Sequence, residues 1–238
     1  MTDTKSHSVT GPNDATETEE RNRAFEHDAT PAPLVRQLLQ HCYPEGAPLH
    51  FLDPAAGHGV FGMEVAKKWP ACRRYAFEPR EEAFEDLHHH HHVALMHTLA
   101  QALPLLHKRD HSFSLIATNP PFSHALDFLE LLHPRLSNDG WLWLLQLTDW
   151  GQRSQKSIKV FQKLAPAVCL RIGAPIQFRG VGTINPKNKK PYGSDMRSYS
   201  WWGWKKEPVN FTTLYTLPAL PTDDRRWVVT PGTEWRNE

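Results

Sequence analysis

Cysteine, net charge and long apolar runs are all scarce in this chain of 238 residues, and each scarcity removes a class of protein. The three cysteines, Cys42, Cys72 and Cys169, are odd in number, widely spaced and free of any Cys-x-x-Cys pattern, which speaks against a disulfide framework and against a zinc cluster. A reducing, cytoplasmic setting follows as the expectation. No stretch of about 20 apolar residues offers a membrane span, and no apolar run after Met1 offers a signal peptide. With a net charge of +1 the chain has no general attraction for polyanions, so a nucleic-acid partner must be held by a local patch. The length suffices to bury a core without help from metals or disulfides.

What is present is an alternation of strand-like and helix-like patterns, the mark of an α/β sheet with crossover connections. Residues 1–29 are polar, with Asp3, Asp14, Glu17, Glu19, Glu20, Glu26 and Asp28 outnumbering Lys5, Arg21 and Arg23, and read as a disordered tail. Order is expected from Thr30-Pro31: Thr30 caps a helix, Pro31 lies in its first turn, and Leu34, Val35, Leu38 and Leu39 share one face. Strands are expected over 49–53, 74–78, 93–96, 113–118, 141–147, 167–172 and 199–204, and helices over 60–68, 81–87, 123–136 and 153–164. The main domain therefore runs over 30–206. Beyond Glu207, Pro208, Pro218, Pro221 and Pro231 interrupt the pattern, so 207–238 reads as an extension packed on the domain or left free.

Two motifs fall at the ends of expected strands. Asn119-Pro120-Pro121-Phe122 directly follows the strand-like run Phe113–Thr118. An exocyclic amino group is a poor nucleophile while its lone pair is delocalised, and its activation needs acceptors that hold its N–H bonds. The Asn119 side-chain oxygen and the Pro120 carbonyl are both acceptors, and the proline-fixed turn presents them together. Phe122 adds a face on which a planar substrate stacks, a contact worth roughly 1–3 kcal/mol for a nucleobase. A Pro-Pro pair that merely stops a strand is the plain alternative; the place after a buried strand and behind a glycine loop favours the clamp.

The second motif, Gly57-His58-Gly59-Val60-Phe61-Gly62, fits the dinucleotide fingerprint Gly-x-Gly-x-x-Gly, with Glu78 about 20 residues on, where an acid holds a ribose. A nicotinamide enzyme is thus a competing reading. Asp53, at the strand tip before Pro54-Ala55-Ala56, weighs against it, because an acid there suits a positively charged amino-acid moiety and repels a pyrophosphate. The dinucleotide fold also carries no Asn-Pro-Pro-Phe at its fourth strand.

Leu52-Asp53-Pro54-Ala55-Ala56-Gly57-His58-Gly59-Val60-Phe61, Glu78 and Asn119-Pro120-Pro121-Phe122 together resemble the class I S-adenosylmethionine-dependent methyltransferases, and within them the amino-methylating branch. The motif order, glycine loop before Asn-Pro-Pro-Phe, is similar to that of the gamma-type N6-adenine DNA methyltransferases. The later stretch, with Leu147-Thr148-Asp149-Trp150, Arg153 and Gly173–Phe178, is similar to phage and prophage proteins of that kind. The resemblance implies a Rossmann-like, seven-stranded, mostly parallel sheet with helices on both faces and an antiparallel last strand. It implies S-adenosylmethionine as cofactor, with Asp53, Ala55, Gly57 and Gly59 at its methionine and ribose part, Thr30 nearby, Glu78 on the ribose hydroxyls and Asn119 beside the methyl. It further implies methyl transfer to N6 of adenine in DNA, with Asn119, Pro120, Pro121 and Phe122 as the catalytic turn. Relatives carry an acid just past the third strand; here the stretch reads Met96-His97-Thr98, and His97 would accept with a neutral ring nitrogen.

Weaker constellations complete the reading. His88 to His92 form a run that lacks fixed metal geometry and reads as a solvated loop away from the catalytic tip, so no metal site is expected. Between Ile176 and Arg197 the segment carries Arg179, Lys187, Lys189, Lys190 and Arg197 against Asp195 alone, a basic loop suited to track phosphates. Trp201, Trp202 and Trp204 read as sheet packing. Two further readings stand beside the DNA enzyme: methylation of RNA or of a protein glutamine amide, and a catalytically silent fold used for binding or inhibition.

Overall fold

The computed structural model describes residues 30–42, 47–106, 112–176, 178 and 197–220. Successive side chains of each strand point to opposite faces of the sheet, and those of the central strands are apolar and buried on both, whereas the helices carry one apolar stripe each. Helix α1 (Ala32–Cys42) buries Leu34, Val35, Leu38 and Leu39 on one stripe. Strand β1 (His50–Asp53) then leads to α2 (Val60–Lys68), β2 (Arg73–Phe77) to α3 (Glu81–Leu87), and β3 (Val93–Leu95) to the short α4 (Leu99–Ala102). Strand β4 (Phe113–Thr118) is followed by α5 (Ala125–Leu132), β5 (Leu136–Leu147) by α6 (Gln155–Lys163), and the described chain closes with β6 (Val168–Ile172), β7 (Tyr199–Lys205) and β8 (Thr213–Leu217).

The strands form one sheet in the order β3-β2-β1-β4-β5-β7-β6-β8. All pairings are parallel except those of β7, which runs antiparallel between β5 and β6. The mostly parallel α/β sheet follows the expectation, with one strand more than the seven anticipated. That strand, β8, comes from the stretch read as an extension: it pairs in parallel with β6 from Val168↔Thr213 to Ile172↔Leu217. Prolines at 208 and 218 flank it without entering it, as befits an edge strand.

Side chains from the two faces of the sheet build two cores. One gathers Phe51, Leu115, Trp143, Leu145, Leu170 and Trp201 under α1 and α2; the other gathers Leu52, Phe77, Ile116, Leu142, Leu144 and Trp204 under α4, α5 and α6. Phe113 joins the second core and Leu115 the first, and the β4–β5 register shifts between them, with the extra residues on β5. The tryptophans divide the same way. Trp201 and Trp204 are fully buried on opposite sides, and half-buried Trp202 donates its indole N–H to the Leu147 carbonyl at 3.2 Å. No helix among the described residues is long and apolar enough to cross a membrane.

Candidate active site at the strand tips

Seven parallel strands bring their C-terminal ends to one edge of the sheet, and the adjacent tips of β2, β1 and β4 carry Glu78, Asp53 and Asn119. In open α/β sheets this edge is where ligands bind. At the β1 tip, Asp53 is fully buried. Its Oδ1 accepts a hydrogen bond from the Ala55 N–H at 3.3 Å, while Oδ2 has no partner among the described residues. Burial pushes the carboxyl up to about 7. The neighbouring Thr118 hydroxyl and the Ala55 N–H oppose the rise, and the charge of Glu78 adds to it. Thr118 acts there by proximity, since no contact of hydrogen-bond geometry joins its hydroxyl to Asp53.

The glycine loop leaves Asp53 through two left-handed residues, Gly57 at φ 52° and Gly59 at φ 82°, a conformation that costs little without a Cβ. Ala56 N–H pins the loop to the Phe77 carbonyl of β2 at 3.0 Å, and the Gly59 carbonyl starts α2 by accepting from Met63 N–H at 3.0 Å. The third glycine serves another purpose. A Cβ on Gly62 would stand 2.0 Å from His91 Nε2, so the glycine admits the imidazole against the helix. His91 is therefore buried beside the loop, which corrects the solvated reading for this one member, while His88, His89 and His92 are exposed as expected. Its Nδ1–H donates to the Leu87 carbonyl at 3.0 Å, and burial lowers its pKa to about 4, against the raising effect of that bond. His58 Nδ1 pairs with Asp86 of α3 at 2.7 Å across the same loop.

Glu78, one residue past β2, is buried and densely bonded. Oε2 accepts from Gly57 N–H at 2.7 Å and from Arg80 Nη2 at 3.1 Å; Oε1 accepts from Arg80 N–H at 3.0 Å and Arg80 Nε at 2.8 Å. Burial alone would raise its pKa, but the hydrogen bonds and charge of Arg80, with the Gly57 N–H, outweigh it and hold the carboxyl below its ordinary value. Glu78 is thus buried and ion-paired to a half-buried Arg80 rather than solvated at the strand end.

At the β4 tip, Asn119 is half-buried and its Oδ1 is buried with no hydrogen-bond partner among the described residues. Pro120 is buried, and the Pro121 carbonyl accepts from His124 N–H at 2.9 Å, turning the chain into α5. Phe122 packs against the core under α1 and α2 and lies 5.9 Å from the Tyr199 ring, tilted by 33°. Phe178 meets the same tyrosine edge to face at 5.0 Å, and the Arg197 guanidinium stands 5.8 Å from it. Tyr199 thus gathers Phe122 and Arg197, both anticipated, with Phe178, which was not singled out as a site residue. The composition of Gly173–Phe178 and of the aromatic strand held that signal, but only the meeting of the two segments gives it meaning.

The remaining candidates divide. Thr30 is buried, but α1 takes its first bonds at the Pro31 carbonyl, from Leu34 N–H at 3.0 Å and Val35 N–H at 3.3 Å, so the helix starts one residue later than a Thr30 cap would place it. Beside it, Pro31, Leu34, Ile172, Pro175, Ile176 and Leu220 line a shallow apolar depression. His97 lies just past β3, whose Leu95 carbonyl accepts from Glu78 N–H at 3.1 Å. Its Nδ1–H donates to the Met96 carbonyl at 2.6 Å. Arg179, Lys187, Lys189 and Lys190 lie outside the described residues.

No protein-family description matches the chain, and no curated protein matches its sequence. Its fold, however, is that of known methyltransferase subunits. The modification subunit of a putative type I restriction enzyme from Vibrio vulnificus is similar at a TM-score of 0.57 and 16% identity, over 93% of this chain and 54% of that one. A type I restriction-modification methyltransferase subunit from Streptococcus thermophilus is similar at a TM-score of 0.57 and 14% identity, over 77% of this chain and 46% of that one. The chain spans about half the length of these two proteins.

Proposed function

We propose that the chain is an S-adenosylmethionine-dependent methyltransferase that acts on an exocyclic amino nitrogen, N6 of adenine in DNA being the acceptor best suited to the site. The observation that carries this reading is the buried, unpartnered Asn119 Oδ1 at the tip of β4, next in the sheet to the β1 tip with Asp53 and the glycine loop. A buried acceptor without a donor is costly, and an incoming N–H relieves that cost. The donor side fits the cofactor by the same logic: Asp53 Oδ2 is a second buried acceptor without a partner among the described residues, suited to an ammonium, and the left-handed Gly57 and Gly59 shape the loop beside it.

When bound, the cofactor supplies an electrophilic methyl group on a sulfonium. Asn119 Oδ1 and the Pro120 carbonyl would each accept one N–H of the amino group, orienting its lone pair towards that methyl. Held this way, the amino group would take the methyl while the S–C electron pair stayed on sulfur, and its surplus proton would pass to water. No strong base is needed, so positioning and polarity supply the catalysis. Phe122 and Phe178, half-buried and backed by the buried Tyr199 ring, would form an aromatic wall for a planar ring, and Arg197 beside it suits a phosphate. A base inside a duplex must be flipped out to reach this wall, at a cost of a few kcal/mol. The likeness to restriction-modification subunits supports DNA as the polymer. In DNA from cells expressing the protein, nucleoside mass spectrometry should show N6-methyladenine that the Asn119→Ala variant fails to make. A well-folded protein that transfers no labelled methyl to duplex or single-stranded DNA would falsify the DNA assignment.

A further inference from the structure

The acceptor capacity of Glu78 is already full. A carboxylate offers about four lone-pair positions, and here Gly57 N–H, Arg80 N–H, Arg80 Nε and Arg80 Nη2 take all of them at 2.7 to 3.1 Å. Two of these donors are backbone groups of the loops that shape the pocket. The other two belong to one side chain, and that side chain is movable: the Arg80 side chain keeps 29% of its surface exposed, against 4% for Glu78. Its guanidinium also reaches over the glycine loop, since a Cβ on Gly57 would lie 3.7 Å from Arg80 Nη2.

A vicinal diol and a guanidinium edge present the same thing to a carboxylate, two donors side by side. We propose that Arg80 sets the affinity of the donor pocket by occupying, in the free protein, the two Glu78 positions that a ribose diol needs, and that it must swing off before the ligand binds. This rests on the reading that Glu78 receives a ribose. Arg80 is then a competitor of the ligand rather than a contact to it, so its removal tightens binding, the reverse of what deleting a binding residue does. The displaced form is a minor population, and the measured affinity is lowered by the fraction of molecules that hold it.

Calorimetry on the whole chain tests this with two probes, S-adenosylmethionine and neutral adenosine, the latter free of any dependence on Asp53. Arg80→Ala should bind both about tenfold tighter than the wild type, as expected if roughly a tenth of the free protein is open. Arg80→Lys, which keeps the charge but loses the fork, should fall between. Added salt weakens the exposed side of the pair, so adenosine affinity should rise with salt more in the wild type than in Arg80→Ala. The free Arg80→Ala protein should also melt lower yet gain more on ligand binding. Equal or weaker binding by Arg80→Ala, with the wild type binding measurably, overturns the gate and leaves the donor-site reading intact. If Arg80→Ala does not fold, Arg80→Lys decides by the same criterion. Failure of every folded form to bind either probe at millimolar concentration overturns the gate together with the reading beneath it.

Discussion

The tip of β2 is wired to its own loops, whereas the tip of β4 is not. Glu78 and Asn119 stand two strands apart on one edge of one sheet, but Glu78 accepts four hydrogen bonds from within the chain and Asn119 Oδ1 accepts none from the described residues. Asp53, between them, is intermediate: one oxygen is held by Ala55 N–H and the other has no partner among the described residues. The gradient separates two uses of a buried polar group. A satisfied one fixes the shape of a loop; an unsatisfied one costs stability that only a ligand returns.

Four predictions press on this contrast. The largest effect belongs to Asn119→Ala, which should cut methyl transfer by about 10²–10³-fold, the loss typical of a deleted polar stabiliser. It should leave the melting temperature unchanged or slightly raised, because it removes a buried acceptor that none of the described residues uses. A marked drop in melting temperature would place Asn119 among the wired groups and erase the contrast.

Next comes the pH dependence of cofactor binding. Asp53 carries a proton below about 7, and a cationic ligand needs it ionised. Affinity for S-adenosylmethionine should therefore rise with pH, by about tenfold for each unit below 7, and binding should release a proton. Titration in buffers of different ionisation enthalpy measures that proton; the same release from Asp53→Asn would assign it elsewhere.

The third effect concerns stability in the free protein. Between pH 3.8 and about 7 the folded chain holds a proton on Asp53 that the unfolded chain has lost, so this group alone makes stability fall as pH rises. His91 acts in reverse. Between about 4 and 6.5 the unfolded chain is the one that binds its proton, so stability falls as pH drops. The two slopes nearly cancel over the shared window. Asp53→Asn should unmask the His91 slope, about 3 kcal/mol across that window, visible in denaturation midpoints measured at several pH values. A variant profile as flat as the wild type's would show that His91 does not titrate as its burial requires.

The smallest effect is that of Glu78→Gln. It should destabilise the free protein by about 2 kcal/mol, the scale of hydrogen bonds to a charged group reduced by the partial exposure of Arg80. Chemical denaturation reads this directly, and no loss at all would mean that the bonds around Glu78 do not shape the loop.

Much of this arrangement was legible in the chain. Period-two and period-3.6 patterns located the β1–β7 strands and the main helices, and Gly57, Gly59, Glu78 and Asn119 were marked by turn chemistry and by position at strand ends. What escaped was set by neighbours distant in sequence. Strand β8 hid between prolines, since its pairing depends on β6 and not on its own pattern. His91 read as one member of a solvated run until Gly62, 29 positions earlier, made room for it. Phe178 and Tyr199 belong to different segments and acquire a shared role only beside Phe122.

By itself, then, the sequence determined the order of the β1–β7 strands and the longer helices, the glycine loop, and the acceptor-bearing turn after β4, because these follow from local backbone preference and from residue chemistry. Which acids would be ionised, which acceptors would be left bare and whether Arg80 would lie across Glu78 were decided only in the folded state. Burial and partner geometry set the free energy of a charge or an unpaired oxygen, and both are properties of atoms that meet across the sheet.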